Sequence, residues 1–252
     1  MATAYDTYDY PSYWEGREYE HKSEVLAIKN LLLKIPKIHT ILDIGAGYGR
    51  LTPSYNFRAK RIILSDPSSK LLRIARLNFS EQKNIYFLQS SVEKLKYKLK
   101  KRNVDLIILV RVLHHLENPR SIFSTVFSLL KSNGYFILEF ANKKHLKATF
   151  KEFCRGNLTF PLDIFPKDIR SQSSKKRKTL PFLNYHPEVI KQELEECDFE
   201  IKEILSVSNI RSSLLKKIIP TSTLLSIEKL LQKPFSLFGF GPSIFILARK
   251  KD

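Results

Sequence analysis

A chain of 252 residues, 43% hydrophobic and 27% charged, has the composition of one generous globular domain with a core of its own. Its 43 Lys and Arg outnumber 25 Asp and Glu; the formal charge of +18 draws anions without choosing among nucleic acid, acidic headgroups and acidic small molecules, and suits a basic enzyme with no polyanionic partner equally well. The two cysteines, Cys154 and Cys197, lack CxxC or metal-ligand spacing, so the pattern predicts reduced thiols and no metal.

Residues 1–22, MATAYDTYDYPSYWEGREYEHK, are polar, acidic and aromatic, without the basic and then apolar regions of a secretory signal. The longest apolar run, LIILV, is too short to span a bilayer, and a soluble, cytoplasmic protein is expected. The stretch SEVLAIKNLLLKI has apolar residues at helical spacing behind a Ser23 cap, and Pro36 stops it. Five short apolar runs follow: TILDIG, RIILSD, NIYFLQ, VDLIILV and GYFILEF. Between them, residues 68–79, 92–101 and 119–131 carry helical spacing. Strands apolar along their whole length are buried on both faces, and their alternation with helices predicts a doubly wound α/β fold around a mostly parallel sheet.

Beyond Phe140 the rhythm breaks. Residues 142–185 hold two Pro-containing stretches and the run SSKKRK. A helix returns at HPEVIKQELEECDF, then a strand at FEIKEILSV, an amphipathic region at 211–232 and a last strand at SIFILARKK. The expected organisation is one domain over 1–252, with insertions at 142–185 and 209–241.

The stretch ILDIGAGYGRL delivers Gly45, Gly47 and Gly49 to the carboxyl end of the first strand, where ligands of such sheets sit. Glycines there let a ligand approach the backbone, and free N–H groups offer donors to it. A dinucleotide fingerprint would need GxGxxG, but the third glycine falls one position early and Arg50 stands where a small residue is wanted. A phosphate-cradling GK[ST] is absent.

The pattern D-I-G-A-G-Y-G resembles motif I of the class I S-adenosylmethionine-dependent methyltransferases, especially the small-molecule and quinone-biosynthesis group. IILSDPSSKLLRIAR resembles the second motif, with Asp66 as the acid that would accept hydrogen bonds from ribose hydroxyls; a plain helix cap at Asp66 is the structural alternative. IYFLQSSVEKL places Ser91 where family members often carry an acid toward the adenine. VDLIILVRVLHHLENP and LLKSNGYFILEFANK resemble the family's fourth and fifth strand signatures, with Gly134 in the turn. Asp198 replaces the glycine usual before the sixth strand. The resemblance implies a seven-stranded Rossmann-like sheet and S-adenosylmethionine as cofactor, with Asp43, Gly45, Gly47, Gly49, Asp66, Ser91 and Arg111 as cofactor-binding candidates. Asp43 either fixes the glycine loop or meets the cofactor, and Arg111 either serves the site, with its stem beside the cofactor or its head toward an acidic substrate, or is solvated or paired internally.

Methyl transfer from a sulfonium is an in-line displacement in which the protein aligns the partners and excludes water, so few obligatory catalytic side chains are expected. His115 is the candidate base; the alternative for His114 and His115 is to bond the loop and pack beneath the cofactor. Tyr8, Tyr10, Tyr13, Trp14 and Tyr19 make residues 1–22 either an aromatic lid over the cofactor, as the resemblance implies, or a disordered or surface-packed tail. The insertions are expected on the substrate side. SLLKKIIPTSTLLSIEKLLQKPF would be a basic amphipathic helix pair for peripheral membrane contact, a hydrophobic lid, or a buried helix, and KKRK a phosphate contact or a solvated loop. The expected partner is a small or lipid-like substrate. An RNA substrate is the alternative, disfavoured by the lack of an Asn/Asp-Pro-Pro-aromatic signature; a third is a binding protein that keeps the pocket. No feature sets an oligomeric state.

Overall fold

The apolar runs become neighbours in one sheet because each is too hydrophobic to leave either face in water. In the computed structural model, which describes residues 10–176 and 179–252, β1 (Thr40–Ile44), β2 (Arg61–Asp66), β3 (Ile85–Gln89), β4 (Val104–Leu109) and β5 (Leu130–Ala141) pair in parallel. β6 (Phe199–Val207) and β7 (Ser243–Lys250) complete the order β3-β2-β1-β4-β5-β7-β6. β7 is antiparallel to both β5 and β6, so β6 runs with the first five strands. An antiparallel neighbour can be reached along one edge of the sheet. Residues 209–241 therefore leave and re-enter at the edge where the carboxyl ends of β1–β5 lie.

Helices cover both faces: α1 (Glu18–Leu32), α2 (Ser69–Asn78), the single turn α3 (Leu95–Lys98), α4 (Pro119–Leu129), and, after the short helices α5 (Leu146–Phe153) and α6 (Gln172–Lys176), α7 (Pro187–Glu196). α8 (Ser213–Ile218) and α9 (Thr221–Leu231) follow β6. One core layer packs Leu42, Ile107 and Phe136 against α4 and α7; the other packs Ile41, Ile108 and Phe245 against α1. Each fully buried side chain of this size contributes about 1.5–3 kcal/mol relative to exposure. Among the described residues no helix is long and apolar enough to cross a membrane.

Four expectations shift. α1 begins at Glu18, where Glu18 and Glu20 favour the positive end of the helix dipole, and Ser23 is a buried mid-helix residue, not its cap. β3 pairs only with β2, so it is an edge strand with Tyr86 exposed, not one buried on both faces. The helix read over 92–101 shrinks to a 3-10 turn at Val92–Lys94 and the single turn α3. The turn near Gly134 lies inside β5, where Asn133 takes a φ of 60°. Asp198 likewise has a φ of 60°, a backbone state that glycine adopts more cheaply.

Candidate functional site

A cavity of about 420 Å³ opens at the carboxyl ends of β1 to β4. Gly45 and Gly47 form one wall, Asp66 and Pro67 a second, Ser90 to Glu93 a third, and Arg111, Val112 and His115 a fourth. Tyr10 from the N-terminal segment and Leu180 from the first insertion add to its walls.

The glycine loop is pinned to β2. Gly45 and Ala46 donate their N–H groups to the Ser65 carbonyl at 2.7 and 3.0 Å, and Gly47 donates to Asp66 Oδ2 at 2.9 Å. The other oxygen of Asp66 accepts the N–H of Ser68 at 2.8 Å. The cap of α2 is Ser68, whose hydroxyl oxygen accepts from Leu71 N–H, so Asp66 is not a plain helix cap. Gly45 has φ of 73°, and a Cβ there would lie 2.2 Å from Val112 Cγ2. Gly49 has φ of 82°, and its Cβ would lie 2.3 Å from Phe79 Cε2; this glycine serves packing behind the loop, not the cavity wall. Asp43 neither fixes the glycine loop nor lines the cavity: it is buried and accepts a short hydrogen bond from the Tyr55 hydroxyl. Burial pushes its carboxyl up to about 7.

Ser91 does line the third wall, and the acid beside it is Glu93, two residues further on. Arg111, at φ 62°, follows β4 and touches the cavity, but its guanidinium is committed inward. Nε and Nη2 lie 2.7 and 2.6 Å from Glu24 Oε1, and the backbone N–H donates to Glu139 Oε2 at 2.8 Å. Arg50 reaches the other oxygen of Glu24 at 2.6 Å and His21 Nδ1 at 2.6 Å, with Trp14 stacked 3.5 Å from its guanidinium carbon. Burial pushes the Glu24 carboxyl up; the two guanidiniums outweigh that and hold it below its ordinary value. Glu139 is buried as well, accepts from Ser243 Oγ, and is raised by burial.

His115 Nδ1 lies 2.7 Å from the Pro181 carbonyl, which can only accept, so Nδ1 carries the hydrogen and the basic lone pair is on Nε2. His114 stacks on Phe182 with centroids 4.3 Å apart. Burial lowers both imidazoles and keeps them neutral. The first insertion thus covers this corner through Leu180, Pro181 and Phe182.

The aromatic segment divides. Tyr8 lies outside the described residues. Tyr10 meets the cavity and stacks on Tyr13 at 6.0 Å, while Trp14 covers Arg50. Tyr19 is no part of a lid: it is buried, donating to Glu228 at 2.5 Å and accepting from Ile210 N–H at 3.1 Å, which ties α1 to the second insertion. Among the described residues the cavity takes no wall from 209–241. Lys175 and Lys176 sit on α6, Lys175 Nζ being 3.9 Å from Asp168, and the rest of KKRK lies outside the described residues. Sequence reasoning missed Glu24, Glu93, Glu139 and Glu228. Glu24 and Glu228 did carry a signal, an acid set among the apolar positions of a helix.

A family model described as "Methyltransferase domain" matches residues 42–138. A ubiquinone biosynthesis O-methyltransferase of Nitrosomonas europaea is 29% identical over 105 residues, covering 41% of this chain and 44% of that relative. A tRNA 5-carboxymethoxyuridine methyltransferase of Escherichia coli is 28% identical over 170 residues, covering 66% of this chain and 61% of that one. The chain spans less than two thirds of the length of the curated relatives it matches. Among solved structures, the N-methyltransferase NodS of Bradyrhizobium japonicum, in complex with S-adenosyl-L-homocysteine, superposes with a TM-score of 0.63 at 14% identity, covering 98% of this chain and 95% of that chain. At that identity the likeness is one of fold.

Proposed function

We propose that this chain, whose residues 42–138 match a methyltransferase domain, is a class I S-adenosylmethionine-dependent methyltransferase that moves the methyl group of S-adenosylmethionine to a small or lipid-like acceptor. The observation that carries this reading is the glycine-walled cavity with the Asp66 carboxylate on its side.

The residues fit that cofactor. The N–H groups of Gly47 and Ser68 orient the Asp66 carboxylate at the cavity wall, where it would accept the ribose hydroxyls. Pro67, Leu71 and Val92 offer an apolar slot for a flat base beside Ser91. Tyr10 offers a ring to a cation, and Gly45 leaves no Cβ between the loop and Val112. When bound, the cofactor supplies an electrophilic methyl group on a cationic sulfur. The chain's own work is then to orient an acceptor beside it and to exclude water behind Tyr10 and Leu180. His115 takes the acceptor's proton on Nε2 where the nucleophile must lose one.

The tRNA methyltransferase relative, together with the charge of +18, favours a second reading with RNA as acceptor. Calorimetry with S-adenosylmethionine tests the first step. The wild type should bind, and Asp66→Ala should bind on the order of tenfold or more weakly through loss of charge-assisted hydrogen bonds. No binding by the wild type would remove the cofactor assignment. A labelled-methyl screen over lipid, quinone and RNA fractions then separates the acceptors.

A further inference from the structure

Both insertions carry a helix that buries none of its own residues: α5 in the first and α8 in the second. On α5, Leu146, Phe150 and Phe153 follow at spacings of four and three, so they share one face. All three are exposed, Phe150 to 68%. On α8, Leu214 and Ile218 stand one turn apart and are exposed to 63% and 69%. Helices this short are marginal alone, since isolated ones need roughly 12–15 residues, and rows of exposed aliphatic and aromatic side chains add nothing in water.

Both helices stand at the sheet edge that holds the cavity, since β5 and β6 launch them there and run with β1–β4. The two insertions also meet. Leu146 N–H donates to the Phe240 carbonyl at 3.0 Å, and a groove of about 360 Å³ is lined by Leu146 and Phe150 on one side and by Arg211, Phe240 and Pro242 on the other.

Charge decides what covers this face. Residues 142–185 and 209–241 hold 16 of the Lys and Arg and only 4 of the Asp and Glu, so these two segments carry most of the chain's positive surplus. Lys147 and Lys151 border the stripe of α5; Lys217 and Arg211 border that of α8. Apolar rows edged by long cationic side chains suit the boundary of an anionic bilayer, with the rings and aliphatics among acyl chains and the ammonium groups at phosphates. RNA would use the lysines and stack a base on Phe150, but would leave the aliphatic Leu146, Leu214 and Ile218 in water.

We infer that α5, α8 and the groove beside them dock on an anionic lipid surface and bring the cavity edge to an acceptor carried there. The identity of that acceptor rests on the methyl-transfer reading; the docking does not. The test is flotation of the full chain with vesicles of phosphatidylcholine alone and of equal parts phosphatidylcholine and phosphatidylglycerol. Binding to the anionic vesicles alone, weakening with salt, is expected. The pair Phe150→Ser with Leu214→Ser, and separately Lys147→Gln with Lys151→Gln, should each weaken it on the order of tenfold, with unchanged thermal melting.

Lack of flotation with the anionic vesicles would overturn the inference, as would full binding by the serine pair. RNA affinity lost with the two lysines, in a protein that ignores vesicles, would make this an RNA face. Self-association lost in the serine pair, again without vesicle binding, would make it a contact between copies. Vesicle docking by a protein that fails to bind S-adenosylmethionine would uphold the docking face and sink the methyl-transfer reading alone.

Discussion

The Arg111 guanidinium grips Glu24, 87 residues earlier, with Nε 2.7 Å and Nη2 2.6 Å from a single carboxylate oxygen. The second oxygen holds Arg50, so one buried acid joins α1, the end of the glycine loop and the loop after β4. Two cations that would otherwise repel each other are thereby bridged by one negative charge beside the cavity.

Glu24→Ala should therefore cost about 3–5 kcal/mol, because it leaves two guanidiniums facing each other without their counter-ion. Glu24→Gln should cost less, since it keeps the shape and one acceptor. Urea unfolding at neutral pH measures both. The sign with pH follows from the depressed carboxyl: its stabilisation is present above the ordinary value of 4.5 and is lost as pH falls through the lower folded value. Alanine and wild type should converge in acid; a constant gap would show that the ion pairs contribute nothing.

The glycine loop allows a controlled comparison. Gly49→Ala meets Phe79 at 2.3 Å and carries a φ of 82°. Gly156→Ala has a φ of 83° and nothing within 4 Å. The second change should cost only the backbone strain, about 1–2 kcal/mol, and the first about 1–3 kcal/mol more from overpacking. Phe79→Leu in the Gly49→Ala background should recover part of the difference. Equal losses at both glycines would mean that the contact with Phe79 relaxes freely.

His115 has a kinetic signature. If Nε2 takes the acceptor's proton, His115→Gln should lower kcat about a hundredfold while leaving S-adenosylmethionine affinity nearly unchanged. Burial lowers this imidazole, so it should remain a base on the acid side of its ordinary 6.5, and the acid limb of kcat/KM against pH should lie below that value. A glutamine variant with near-normal kcat would leave His115 a packing and hydrogen-bonding role and not that of a base.

The first five strands were legible because each holds a short apolar run closed by a turn, and such runs have no other stable home. β6, FEIKEILSV, instead shows a half-exposed strand pattern with charged residues between apolar ones. The place of Gly45, Gly47 and Asp66 at the cavity was legible through the resemblance of their motifs to a known family, whereas Gly49, read with them, packs behind the loop on Phe79. What escaped was set by partners far away in the chain. Glu24 shares the apolar face of α1, but its role shows only when Arg50 and Arg111 are seen on it, and Tyr19 reads as one more lid aromatic until Glu228 and Ile210 claim its hydroxyl. The start of α1 was misread for a local reason: Ser23 looks like a cap, yet the acids of its first turn lie further upstream. Glu93 escaped because the edge-strand turn brings it to the cavity two residues after the position where an acid was sought.

Asp43 gives the last expectation, and its sign is opposite to that of Glu24. Burial raises its carboxyl from 3.8 to about 7, with the nearby Asp66 adding to the rise and the Tyr55 hydroxyl restraining it. A group raised in the folded state stabilises fully below its unfolded value and loses that contribution as pH rises through the folded one. Wild-type stability should thus decline between about pH 4 and 7, by at most about 4 kcal/mol from this group. Asp43→Asn has no charge to bury, so its stability should stay flatter across that window. Tyr55→Phe removes the donor that favours the ionised form, so the decline should extend to higher pH and the protein should lose a further 1–3 kcal/mol or so at neutrality. Parallel pH curves for wild type and Asp43→Asn would show that the carboxyl titrates in the fold as it does in water.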